Sequence, residues 1–453
     1  MTPRAALVQA LRDGLESGFC LDWRPAGISH GWPGPALLSW ALRLRQRWRK
    51  RLPARARIAV RLPNSPAFVA HWLAALQGDW VFCPLPALEA PEARRRLQML
   101  RPQLIVSAEG RQVLEHWPER SIGIDDPEDL ALILWTSASM GPGSAFGLSH
   151  AALLWQLRQH APALGLGRDS LLRNVLPWSH VFAGVLELLS ALTTGAELRV
   201  APLQELRHER FTHLCAVPRV LALLSDAQIA ELAGGIVGGA AVDAGLAARL
   251  QGSRLRVGYG QTEAGPGVML GVPGRFSAAL AGAPLPEVEI LAADTLRYRS
   301  SGQALGRWDG QRWLPVANAE GWIDSGDRLA SLPDGSWRWC GRRDARFKLA
   351  DGRGVQPEEE ELRLQAQYSG LQQVIIGAPG QRRLAAFAAV QPEDRAVLRQ
   401  QWRERYPLYT LAPEDWRPWQ GPTGKLRRGD LYADWQHALA QAQRASKEEK
   451  CRN

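Results

Sequence analysis

Residues 134–150 read LWTSASMGPGSAFGLSH: a strand-like entry, a loop of glycine and small residues, then Ser-His opening an apolar helical run. Closely spaced backbone N–H groups in such a loop can converge on an anion, so its chemistry is that of a phosphate cradle. Loops of this kind commonly carry a lysine for the outer phosphates, and this one has none. Lysine is scarce throughout. Of 55 basic residues only five are lysines: Lys50, Lys348, Lys425, Lys447 and Lys450. Where a generic positive charge suffices the chain uses arginine, so an internal lysine marks a place that needs a compact ammonium. Lys348 and Lys425 are such positions, whereas Lys447 and Lys450 lie in a polar C-terminal tail.

The elements that must position this chemistry follow an α/β rhythm. RIAVRL (57–62) alternates like a strand, and AFVAHWLAAL puts Phe68, Val69, Trp72, Leu73 and Leu76 on one helical face. VFCPLP and QLIVSA are short buried strands around the helical PEARRRLQML. After the glycine loop, strand-like RNVLPWSH, helical GVLELLSALTTG and strand-like ELRVAP come in turn. THLCAVP, the helix RVLALLSD, GGIVGGAA and LRVGYG follow. Strand, helix, strand in this order argues for parallel βαβ units. Around 287–340 the texture changes to short strands with Gly, Asp and Trp turns, a small β-rich subdomain. From CGRRDARFKLADGRG (340–354) the chain turns polar, and a final α+β-like segment runs to the tail. The expected division is a core of residues 1–340 and a smaller unit of residues 341–453.

Composition narrows the class. A chain of 453 residues, 46% hydrophobic and 22% charged, is long enough for two or three soluble domains. The best candidate for a membrane span, Val181 to Val200, is broken by Glu187 and Glu197. Acidic residues stand in the first eighteen positions, where a secretory signal would be apolar, so a cytoplasmic protein is expected. The cysteines Cys20, Cys83, Cys215, Cys340 and Cys451 are scattered without metal-like spacing. A net charge of +10 suits anionic partners such as nucleotides, coenzyme A or an acidic carrier protein. The basic residues are spread along the chain rather than interleaved with aromatics, so no nucleic-acid partner is expected.

Six further motifs follow the loop in order: LPWSHVFAG, VGGAAV, GYGQTEAGP, GWIDSGD, GRRDARFK and PTGKLRR. Together with RLPNSPAFVAHWLAAL (61–76), they make nearly the whole chain resemble the adenylate-forming acyl/aryl-CoA synthetase superfamily. The resemblance implies ATP-dependent activation of a carboxylic acid to an acyl-adenylate. Transfer to the pantetheine thiol of coenzyme A or an acyl carrier protein would follow. It also implies a mobile C-terminal lid.

The resemblance assigns roles to matching positions. Thr262 and Glu263 would contact the α-phosphate, with Glu263 holding Mg²⁺, which takes a few oxygen ligands and completes its shell with phosphate and water. Asp327 would accept from both ribose hydroxyls, with Arg342 as its partner. Tyr259 would stack on or line the adenine pocket beside Gly260. Gly238 and Gly239 would let backbone approach the ligand, and His180 and Val181 would flank the acyl group. Lys425 would bridge carboxylate and α-phosphate during adenylation, and Lys348 would face the site in a second conformation. Asp344 would be the hinge.

Departures lie in the loop. The family pattern Thr-Ser-Gly-Ser-Thr-Gly-x-Pro-Lys-Gly stands against Thr136, Ser137, Ala138, Ser139, Met140, Gly141, Pro142, Gly143, Ser144 and Ala145. Thr136, Ser137, Ser139, Gly141 and Gly143 can still offer hydroxyls and N–H groups. A fixed cation is missing, so weakened ATP or pyrophosphate binding is expected, because charge-assisted bonds are about twice as strong as neutral ones. An aryl or fatty acid is favoured over an amino acid, because no amino-acid-specific aspartate is evident. The alternative is a non-catalytic descendant, either an acyl- or adenylate-binding protein or an assembly protein.

Overall fold

The computed structural model describes residues 1–452 except 87–89, 109, 114–125, 137–142, 369–370, 372, 382 and 421–425. Side chains at 90–91, 110–113, 366 and 446–452 are outside that description. Two large sheets organise the chain up to Arg342. In the first, four parallel strands lie in the order Leu104–Ser107, Arg57–Arg61, Val81–Pro84, Leu130–Trp135. Antiparallel Ala145–Ser149, Gly306–Trp308 and Trp313–Leu314 extend it on one side. The second sheet has six parallel strands: Cys20–Trp23, Glu197–Val200, Leu171–Asn174, His213–Ala216, Gly234–Gly238 and Arg256–Gly260. Beyond Arg256–Gly260 it continues antiparallel through Gly267–Leu270 and Leu280–Pro284 to the hairpin Asp327–Ser331 and Trp337–Arg342.

One core joins the sheets. Helix Pro66–Gly78 is buried on nearly all sides, which explains why its sequence is apolar beyond a single stripe. Its Phe68 and Trp72 pack on Phe82 and Trp178. Ser65 caps the helix by accepting from the Phe68 N–H, and Pro66 occupies its first turn. The β-rich stretch forms a small sheet of Glu289–Ala292, Leu296–Arg299 and Ile323–Asp324 and lends its other strands to the two large sheets.

Two segments differ from the sequence reading. Strand-like RNVLPWSH is extended only to Asn174, because Pro177 opens a turn that His180 N–H closes onto the Pro177 carbonyl. The helix that follows begins as a wide π-helix, Phe182–Leu189, before tightening at Ser190–Thr194. Such wide turns are uncommon and concentrate at functional sites.

The C-terminal segment is α+β. Helix Pro357–Gln367 packs on a sheet of Gln373–Ile376, Ala386–Ala389 and Leu408–Leu411. Its core gathers Trp416, Trp419 and Trp435 around Phe387, the Phe387 and Trp416 rings stacked 5.0 Å apart. No helix among the described residues is long and apolar enough to cross a membrane.

Candidate active site

Asn174, Gly238 and Tyr259–Gly260 all lie at the carboxyl ends of parallel strands of the second sheet. Open α/β sheets bind ligands at that edge. Gly238 has a reason inside the protein: a Cβ there would stand 2.7 Å from the Gly258 carbonyl oxygen on the neighbouring strand. Gly239 takes φ +79°, a conformation open to glycine.

A β-bulge between Tyr259 and Gly260 re-aims the chain as it leaves the strand. Gln261 then leads into one 3₁₀ turn, Thr262–Ala264. Across from it, Ser325 Oγ accepts the Asp327 N–H at 3.0 Å and donates to the Leu296 carbonyl at 2.7 Å, which pins the Asp327 backbone. Asp327 is 5% exposed. Its Oδ2 accepts from the Tyr259 hydroxyl at 2.7 Å and from Gln261 Nε2 at 2.8 Å. Oδ1 receives a longer contact, 3.5 Å from Arg342. Two good donors occupy Oδ2, so Oδ1 is the oxygen with acceptor capacity left.

Arg342 stands opposite Asp327 in the hairpin. Its Nε and second NH₂ each meet Asp344 at 2.9 Å, so one guanidinium bridges the buried carboxylate and the aspartate two residues on. That partner holds the Asp344 carboxyl below its ordinary value. The Arg342 N–H also donates to Glu358, whose carboxyl is pushed up to about 7 by burial. Burial raises Glu263 too, offset in part by Arg342.

Among the described residues, no group of three or more His, Cys, Asp or Glu could hold a metal. A lone half-buried carboxylate beside a threonine fits Mg²⁺, which is held by one or two carboxylates together with substrate phosphates.

The glycine loop is stapled at its base. Thr136 N–H donates to the Ser144 carbonyl at 2.9 Å, and Ser144 N–H returns a bond to Thr136 Oγ1 at 3.0 Å. Ser137, Ser139 and Gly141 lie outside the described residues, as does Lys425. Lys348 is exposed on a two-residue strand, and among the described residues no ion pair joins it to the site carboxylates.

His180 and Val181 lead into the π-helix. His180 Nε2 is buried with no hydrogen-bond partner among the described residues, and burial together with the Arg96 charge pushes its pKa down to about 4. It is therefore neutral at physiological pH.

Beneath it lies a polar network that sequence reading missed. Asn64 Nδ2 donates to Asn174 Oδ1 at 2.7 Å and to the Leu176 carbonyl at 2.8 Å, while Asn64 Oδ1 accepts from Trp178 N–H. Asn174 Nδ2 and Trp178 Nε1 both donate to Glu187 Oε1. Burial pushes Glu187 up to about 8. From pH ~4.5 to 8 the native chain holds a proton that the unfolded chain has released. Stability therefore falls with rising pH, by up to about 1.4 kcal/mol per pH unit. Glu187→Gln keeps an oxygen acceptor and removes the ionisation. Its melting temperature should fall less between pH 5 and 8 than that of the wild type, which thermal melts at several pH values would check.

Gln261, Ser325 and Glu358 also escaped the sequence reading. Gln261 and Ser325 had a signal, since they lie inside GYGQTE and GWIDSGD, whereas Glu358 lies outside the quoted motifs.

Comparison with known proteins places the chain in a family. The model of the AMP-binding enzyme family matches residues 49–307, more than half of the chain. Feruloyl-CoA synthase of Amycolatopsis is 26% identical over 392 residues, covering 72% of this chain and 76% of that protein. CymA of Salinispora arenicola, a probable non-canonical nonribosomal peptide synthetase, is 27% identical over 412 residues, covering 78% of this chain but 5% of CymA's own length. ATP-bound MatB from Rhodopseudomonas palustris superposes with a TM-score of 0.77 at 18% identity, over 96% of this chain and 99% of that one. The chain belongs to the AMP-binding enzyme family.

Proposed function

We propose that this protein is an acid–thiol ligase, joining ATP and a carboxylic acid into an acyl-adenylate and passing the acyl group to a pantetheine thiol. The observation that carries the reading is the Asp327 carboxylate. It is buried at the strand ends with Oδ2 engaged and Oδ1 left to accept, beside Thr262 and Glu263. In this reading Oδ1 takes the ribose hydroxyls, and Tyr259 and Gln261 fix its direction. Tyr259, Gly260, Gly238 and Gly239 line the nucleotide and acyl groups, and Thr136 and Gly143 frame the triphosphate. When bound at Glu263, Mg²⁺ supplies charge neutralisation at the phosphates.

A carboxylate oxygen of the substrate forms a bond to the α-phosphorus, the bond to the bridging oxygen breaks, and pyrophosphate leaves. Lys425 neutralises the charge that builds between carboxylate and α-phosphate, the form of catalysis in which positioning and electrostatics dominate. In the second step the thiol sulfur bonds to the acyl carbon, the anhydride C–O bond breaks, AMP leaves, and the thiol proton passes to solvent. We assign residues 341–453 as a lid that turns at Asp344 between the steps, bringing Lys348 to the site for the second. Releasing the Arg342–Asp344 pair accompanies that turn. Exposed ion pairs cost about 1 kcal/mol or less to break, so the contact does not lock the hinge.

An aryl or fatty acid is the favoured substrate. The similarity to a feruloyl-CoA synthase supports an aromatic acid, and the similarity to CymA keeps a carrier protein beside coenzyme A as acceptor. The test is a panel of aryl, fatty and amino acids with ATP, Mg²⁺ and hydroxylamine, reading pyrophosphate and hydroxamate together. One acid class should give both products. Silence across the panel with AMP still bound would favour a non-catalytic binder.

A further inference from the structure

The glycine loop contains no charged residue from Thr136 to Ser144, yet a cation lies beside its described end at Gly143. Arg96, on the helix Ala90–Leu100, is 7% exposed. Its guanidinium lies over Trp135, the last residue of the strand feeding the loop, 4.7 Å from the ring centroid. A Cβ built on Gly143 would sit 3.2 Å from Arg96 NH2 and 2.4 Å from the Thr136 carbonyl oxygen. The same charge is felt by His180, whose buried Nε2 has no partner among the described residues. Arg96 is thus a cation next to Gly143 whose charge also acts on His180.

Its surroundings preserve the charge. Glu92 binds Arg95 through both oxygens at 2.8 Å and Arg96 Nε at 2.8 Å, so one carboxylate serves two guanidiniums and the trio is net positive. Bonding through Nε leaves the NH2 end directed at Gly143. A guanidinium stays protonated even when buried, and stacking on tryptophan orients its plane.

We propose that Arg96 supplies, from a helix outside the loop, the fixed positive charge the loop lacks, meeting the outer phosphates of ATP and then the departing pyrophosphate. The inference rests on the adenylation reading above and adds a residue to it. It also revises the expectation of a weakened site: the cation is relocated rather than lost.

The test is calorimetric titration of ATP, pyrophosphate and AMP, each with Mg²⁺, into wild type, Arg96→Gln, Arg96→Lys and the double variant Arg96→Gln/Ser144→Lys. One charge-assisted contact is worth roughly 10- to 100-fold in affinity. Arg96→Gln should weaken ATP and pyrophosphate by that factor and leave AMP unchanged, because AMP has no outer phosphates. Arg96→Lys should fall between the two, and Ser144→Lys should restore ATP binding in the Arg96→Gln background. Equal weakening of AMP and ATP would mean that Arg96 only braces the loop, and would overturn the proposal. So would unchanged ATP binding. Wild type that binds neither ATP nor AMP would remove the adenylation reading itself, an outcome distinct from either.

Discussion

Asp327→Ala is expected to raise the KM for ATP by roughly 10²- to 10⁴-fold, from the loss of two charge-assisted bonds worth about 1.5–3 kcal/mol each. The effect reaches beyond the ligand. Tyr259 Oη and Gln261 Nε2 both donate to Asp327 Oδ2, and truncation leaves the Tyr259 hydroxyl and one Gln261 N–H facing a cavity, the other N–H staying on the Ser325 carbonyl. Each buried unsatisfied group costs about 1–3 kcal/mol, so the variant should also melt at a lower temperature. Tyr259→Phe provides the scale. It removes one donor while Gln261 still holds Oδ2, so its effect on KM should stay below about tenfold. A Tyr259→Phe defect as large as that of Asp327→Ala would mean that the phenol, rather than the carboxylate, organises the nucleotide site. Steady-state kinetics with ATP varied, beside thermal melts, reads both quantities.

The second large effect is expected at Lys425. Lys425→Ala should lower the rate of adenylate formation by on the order of 10³-fold, the scale seen when one preorganised positive or donor group is removed from a transition state. The same variant given a synthetic acyl-adenylate should form thioester at the wild-type rate, because the lysine has no part in attack by sulfur. Measuring the two half-reactions separately distinguishes a catalytic ammonium from a structural one. Loss of both steps together would place Lys425 in the architecture of the lid.

How far the sequence revealed these features follows from where their signals lie. The strands Arg57–Arg61, Val81–Pro84, Glu197–Val200 and Arg256–Gly260 were legible because each is a short alternating or apolar run closed by, or soon followed by, Pro or Gly. Helix Ala90–Leu100 was legible from its spacing, but the reach of Arg96 was not, since contact between residues 96 and 143 is set by sheet order. RNVLPWSH looked extended throughout because Val175 and Trp178 are strand formers, while Pro177 and the network around Glu187 decide its real path. RVLALLSD, expected as one helix, lies in a helix only over 219–221, and its last residue opens the next helix, Asp226–Glu231. Asp327 and Arg342 stood out by resemblance, and their register as facing residues of one hairpin came only with the fold. Gln261 and Ser325 lay inside quoted motifs, but their place as partners of Asp327 did not show, because a hydrogen-bond partner is defined by the group it meets.

The most direct test of adenylation at this site is ATP–pyrophosphate exchange, with labelled pyrophosphate and one carboxylic acid at a time. The exchange requires the bond between acid and α-phosphorus to form and reverse, and needs no thiol. Wild type should exchange label with aryl or fatty acids and not without acid, and Asp327→Ala and Lys425→Ala should each lose that exchange. Exchange that persists in Lys425→Ala at the wild-type rate, or is absent in wild type that still binds AMP, would contradict the account.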